Sequence, residues 1–330
     1  MTGNIKHLAP PVNPADAFFF TRRFIVVKWA LNVDKEKSRV TRSTGSLEQT
    51  MKTKRNSILC PNCRKLISLD EEICPYCGLV RPGAHDKLGK MRSVVFIFNP
   101  VSTILYVNIA FFVLSLILDP AGIFRGGGGP MGFLSPSNQS LLLLGASGVL
   151  PVLHLHRFWS LVSASFLHGS IMHILFNMLA FYQLAPFILR EFGTHRFINL
   201  YILTGIAGFA VSVVAGVPLT IGASASVCGL IGAIIYFGKS RGGYYGEAIF
   251  KQALGWVIGL AIFGFIFSGI NNWAHGGGLL SGLLLAYIMG YNDQRPEGAW
   301  SKILAYVCVL VTAGILLWAA ASAIFHRFAA

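Results

Sequence analysis

Residues 222–239, GASASVCGLIGAIIYFGK, place a serine between small residues at the head of an apolar run. The run spans about 16 residues, so a helix of that length rises roughly 24 Å. A bilayer's hydrocarbon core is roughly 30 Å thick. If this run enters a membrane, its start lies below the surface, with Ser224 inside. Unpaired N–H groups are tolerated there only against protein or a wet cavity. A cleaner glycine-flanked match occurs earlier as GASG at 145–148, against GASA at 222–225. Ser147 stands in a long segment between apolar runs, where a Gly-rich interfacial turn explains it. Ser224 is therefore the candidate nucleophile.

Composition supports the membrane. Of 330 residues, 54% are hydrophobic and 12% charged, which excludes an ordinary soluble pair of domains. Residues 1–95 hold 17 of the 27 Lys+Arg and 8 of the 13 Asp+Glu. A basic head thus precedes an apolar body. Seven apolar runs follow, at about 100–118, 165–188, 197–216, 223–238, 248–268, 274–290 and 303–322, most of them long enough to span. With the head inside, inner segments carry 24 Lys+Arg and outer ones three, namely Arg125, Arg157 and Arg327. The positive-inside rule then puts the N-terminus in the cytoplasm and the C-terminus outside. A bacterial inner membrane is the expected location.

The head carries CPNC (Cys60, Cys63) and CPYC (Cys74, Cys77). Two CxxC pairs at ribbon spacing supply four thiolates for a tetrahedral structural Zn²⁺. A reducing cytoplasm favours zinc over disulfides. The ribbon would bind a cytoplasmic partner or merely cap the chain. Nucleic acid is not expected, since no basic face interleaved with aromatics is visible. The domain reading is 1–50 as a disordered or misassigned extension, 51–80 as the ribbon, 81–95 as a linker, 96–322 as the membrane domain and 323–330 as an outer tail.

Polar side chains inside spans are costly and point to function. The second, fourth and sixth runs all enter from the outer face. FLHGSIMHILFNM (166–178) brings His168, His173 and Asn177, the fourth run brings Ser224, and NNWAHGGGLLSG (271–282) brings His275. A free helix N-terminus beside Ser224 can stabilise an oxyanion. His173 and Asn177 are four apart and share a helix face, so both can donate to it. A neutral His275 at similar depth can take the serine proton. The acidic residues beyond the head, Asp119, Glu191, Glu247, Asp293 and Glu297, fall away from His275, so a dyad is expected. Gly229, Gly232, Gly278 and Gly282 would let these helices approach closely.

These three motifs, in this order, resemble those of the rhomboid intramembrane serine proteases, over about 96–322. PSNQSLLLLGASGVLPVLHLHRFWSLVSASFLH (136–168) resembles the rhomboid first loop, which makes Ser147 non-catalytic. The resemblance implies an all-α polytopic fold, a six-helix bundle with one extra C-terminal helix. It implies cleavage of peptide bonds in or beside transmembrane helices of protein substrates within the lipid bilayer. It assigns Ser224 as nucleophile, His275 as base, and His173 and Asn177 as oxyanion donors, with no cofactor for the chemistry. The chain departs from the pattern at Ala225, where glycine is usual, at Ser160 after Trp159, and at Cys228, where some members carry an aromatic. The alternatives are an inactive rhomboid-like protein that binds transmembrane helices and a proton-coupled transporter, which would leave the short fourth run unexplained.

Overall fold

The computed structural model describes residues 57–60, 65–76, 80, 99–120, 133–267 and 269–328. The chain divides into two compact units, Met1–Ile97 and Phe98–Ala330.

In the first unit, β1 (Ser57–Leu59) pairs antiparallel with β2 (Leu66–Ser68), with Ile58 opposite Ile67. Cys60 and Cys74 are fully buried beside Ile67, with Ile58 packed against them. Cys63 and Cys77 lie outside the described residues, as do the 1–50 extension and the 81–95 linker.

The second unit is helical. Its long helices are α1 (Pro100–Leu118), α4 (Ile171–Phe192), α5 (Thr194–Val214), α6 (Ser224–Arg241), α7 (Gly243–Ile266), α8 (Asn272–Met289) and α9 (Ala299–Phe328). Two short helices, α2 (Asn138–Leu144) and α3 (Ser160–Ser163), lie between α1 and α4. Five long helices, α1, α4, α5, α7 and α9, are long and apolar enough to cross a membrane. This is a multi-pass integral membrane protein. Its core gathers Phe181, Phe197, Leu200, Tyr201 and Phe237, all fully buried, with the Phe181 and Tyr201 rings edge-on at 5.3 Å.

The run at 165–188 does not become one helix. Residues 164–166 form a 3₁₀ turn, and α4 starts only after Ser170, whose Oγ accepts from the His173 N–H at 3.2 Å. A serine cap following Gly169 is a stronger local signal than apolar continuity. His168 consequently stands ahead of the helix. The segment from Ser137 to Phe166 also folds more than its turn-like sequence suggests, into α2, a π turn (Leu150–His154), α3 and the 3₁₀ turn.

A polar latch binds the α4–α5 turn to the chain leading into α9. Helix α5 has no local cap; Glu297 supplies one, accepting from the His195 and Arg196 N–H groups at 2.9 and 3.1 Å and meeting His195 Nδ1 at 2.8 Å. Arg196 is only 2% exposed and donates to the carbonyls of Arg295 and Pro296 at 3.0 and 3.1 Å. At the far end of α9, Arg327 Nε donates to the Leu118 carbonyl at 2.6 Å.

Candidate active site

Glycines bring the serine and histidine helices together. A Cβ on Gly278 would overlap the Ala225 carbonyl oxygen, and one on Gly282 would overlap that of Gly229. In return, Gly232 of α6 faces the Leu279 carbonyl. Backbones meet along this seam with no side chain between them, as small-residue interfaces in membranes allow. Helix α5 joins at Gly208, where a Cβ would lie 2.6 Å from the Ala274 oxygen and 2.8 Å from Ala225 Cβ. Ala225 therefore stands at the junction of three helices. Ser224 precedes it, and His275 begins the turn of α8 above Gly278.

Helix α6 starts at Ser224 without a side-chain cap, unlike α1, α2, α4 and α8. Its first-turn N–H groups and their partial positive charge are left for another acceptor. It continues to Arg241, so 18 residues replace the roughly 16 read from the sequence. The start at the serine stands.

His173 reaches the same place from α4. The Gly169 N–H donates to His173 Nδ1 at 3.2 Å. A backbone amide cannot accept, so Nδ1 carries the lone pair and the proton sits on Nε2. Nε2 borders the space at Gly222: a Cβ there would lie 2.7 Å from Nε2 and 3.7 Å from Ser224 Oγ. Glycine, with φ of +123°, keeps the space open. One turn on, Asn177 Nδ2 donates to the His173 carbonyl at 2.9 Å, which leaves its second N–H available. Both side chains that the helix spacing paired on one face do lie on α4.

His275 is half-buried, and its Nδ1 is buried without a hydrogen-bond partner. No carboxylate among the described residues is bonded to the ring. Among the described residues Glu191 pairs with Arg190, Glu247 with Lys251, Asp293 with Arg241 and Glu297 with His195. Ser224 Oγ and His275 are not hydrogen-bonded to each other, a looseness common in ligand-free sites.

The other serine has a different setting. Ser147 is fully buried, exchanges backbone hydrogen bonds with Thr220 at 3.0 and 2.7 Å, and receives the Ser160 hydroxyl at 3.4 Å. It braces the chain that leads to Ser224. Of the departures, Ser160 is buried and donates to Ser147, Trp159 before it covers Gly145 and meets Trp318 of α9 edge-on at 4.8 Å, and Cys228 is buried.

Sequence reading did not find Asn271, which caps α8, nor Thr220 and Ser212, which it contacts. An Asn at the head of an apolar run is a cap signal, but its cross-chain partners leave no trace in spacing.

A family model described as the rhomboid domain matches residues 155–292. RHOMBOID-like protein 1 of Arabidopsis thaliana is 32% identical over 206 residues, covering 56% of this chain and 51% of that protein. Rhomboid protease GluP of Bacillus subtilis is 30% identical over 159 residues, 48% of this chain and 31% of GluP. The rhomboid relative YdcA of B. subtilis is 30% identical over 142 residues, 42% of this chain and 71% of YdcA. The chain spans about half or less of the length of the first two. With these motifs on a multi-pass helical bundle, the chain belongs to the rhomboid family of intramembrane proteases.

Proposed function

We propose that this protein is an intramembrane serine endopeptidase that cleaves transmembrane protein substrates in or beside their helices. The observation that carries the reading is the space at Gly222, bordered by Ser224 Oγ and by a His173 nitrogen whose proton is fixed. His275 takes the Ser224 proton as Oγ attacks the scissile carbonyl. The tetrahedral oxyanion is held by His173 Nε2–H, the free N–H of Asn177 and the uncapped start of α6. Collapse returns the proton to the leaving amine, and a water deprotonated by His275 then hydrolyses the acyl-enzyme. The orphaned Nδ1 of His275 supports a dyad without a carboxylate. No metal or organic cofactor enters these steps.

The topology that goes with this reading has seven spans, the N-terminus in the cytoplasm and the C-terminus outside, with α6 and α8 as the two less apolar spans. In the head, Cys60, Cys63, Cys74 and Cys77 hold a structural Zn²⁺. A core as small as Cys60, Cys74, Ile67 and Ile58 cannot stabilise a fold of this size by burial, so a metal staple fits it. The head's place is to engage a cytoplasmic partner.

The test is cleavage of a single-span reporter in liposomes, with fluorophosphonate labelling in parallel. Wild type cleaves and labels, and Ser224→Ala and His275→Ala do neither. The missing Ser224–His275 hydrogen bond favours a second reading, an inactive relative that binds transmembrane helices. Folded wild type that neither labels nor cleaves would establish that reading.

A further inference from the structure

Thr220 stands four residues before Ser224, and Asn271 four before His275. Their side chains meet: Asn271 Nδ2 donates to Thr220 Oγ1 at 2.8 Å and to Ser212 Oγ, near the end of α5, at 2.7 Å. The amide orientation is unambiguous. Oδ1 accepts from the Ala274 N–H at 3.0 Å, and an N–H can only donate. Ser212 gives its own proton to the Gly208 carbonyl at 3.1 Å, which leaves its oxygen to accept. All three bonds are therefore satisfied at once.

The partners are themselves fixed. Thr220 is paired through its backbone with Ser147, and the Gly222 N–H donates to the Ala164 carbonyl at 2.9 Å. On the other side, the His275 N–H donates to the Asn271 carbonyl at 3.2 Å. A single amide thus connects the approach to the nucleophile with the first turn of the helix that carries the base. The Gly278–Ala225 contact sets the spacing of α6 and α8 below the site, and the Asn271 amide joins the two segments above it.

We propose that Asn271 is a positioning residue that sets the height and rotation of His275 relative to Ser224. This rests on the protease reading above. Small displacements of reacting groups are expensive, with about 1 Å capable of costing a hundredfold in rate. Losing one link of this bracket while the cap remains should cost about tenfold.

The test compares full-length wild type with Asn271→Ser, which keeps a capping oxygen but cannot reach both hydroxyls, and with Thr220→Val and the double variant. Readouts are kcat and KM on the reporter, fluorophosphonate labelling rate per folded molecule, thermal midpoint, and amide hydrogen exchange at 217–226 and 271–278. The expected result is an approximately tenfold fall in kcat and labelling rate for each single variant with KM within about twofold. The double variant falls no further than the worse single, because both break the same link. A lower thermal midpoint with an unchanged labelling rate per folded molecule would reduce Asn271 to a helix cap and overturn the proposal. So would single effects that multiply. If wild type itself neither cleaves nor labels, the protease reading fails and exchange decides the link: Thr220→Val accelerating exchange at 272–276 upholds it, and no change there overturns it.

Discussion

Replacing Gly222 with alanine tests the oxyanion space directly. The added Cβ would lie 2.7 Å from His173 Nε2 and 2.9 Å from its neighbouring ring carbon, where ordinary contact begins at 3.4 Å. The ring must retreat by about 0.7 Å or more. Useful N–H to oxygen distances span only about 0.5 Å, from roughly 2.7 to 3.2 Å. A retreat of that size removes His173 as a donor. Loss of one oxyanion-hole donor lowers kcat by about 10² to 10³. Alanine at φ of +123° adds a backbone strain of about 1 to 3 kcal/mol, read as a lower thermal midpoint. The assay is reporter cleavage per folded molecule in wild type, Gly222→Ala, His173→Ala and the double variant. In the His173→Ala background the ring is absent and the methyl has nothing to displace. There, Gly222→Ala should change kcat by less than about threefold, the non-additivity expected of two changes acting through one group. Independent, multiplying effects would refute the geometry, and so would a folded Gly222→Ala that cleaves within about threefold of wild type.

Three further outcomes follow from other parts of the molecule. Ser147→Ala removes only the long 3.4 Å hydroxyl contact with Ser160 and leaves both backbone bonds to Thr220, so reporter cleavage should stay within about threefold of wild type. Arg196→Met strands the Arg295 and Pro296 carbonyls while Glu297 keeps its bonds to His195 and to the backbone N–H of residue 196, and it should destabilise the bundle by about 1 to 3 kcal/mol per stranded carbonyl in thermal or denaturant unfolding. Metal analysis of purified protein should find one zinc per chain, and Cys60→Ser or Cys74→Ser should release it while the membrane unit still labels with fluorophosphonate.

Much of the site could be read from the sequence because it depends on local spacing. His173 and Asn177 are four apart, so any helix puts them on one face, and Gly278 and Gly282 likewise form a stripe. The serine helix could be found from its shortness and from the small residues at its head. What could not be read is held by contacts between distant segments. Glu297 caps a helix more than 100 residues earlier in the chain, and Thr220 finds both Ser147 and Asn271. The late start of α4 has another cause: Phe166 and Leu167 satisfy a hydropathy pattern in any conformation, whereas the Ser170 cap acts only once the chain turns. Hydropathy measures transfer, and a cap is geometry.

The same division explains why, among the long helices described, the two that bear Ser224 and His275 are the ones that fall short as spans by composition. Glycines at 229, 232, 278 and 282 lower their hydropathy, yet those positions let the backbones touch. An alanine at 232, 278 or 282 would read as a better span and would force α6 from α8, while one at 229 would meet the Thr204 side chain of α5. The missing cap on α6 and the unpartnered Nδ1 of His275 are likewise defects by the standards of a stable bundle. They leave donors and a base unengaged beside the serine, where charge would develop in the acyl transfer proposed above. Both stand beside Ser224, which is the pattern expected when a site is built at some cost to the fold.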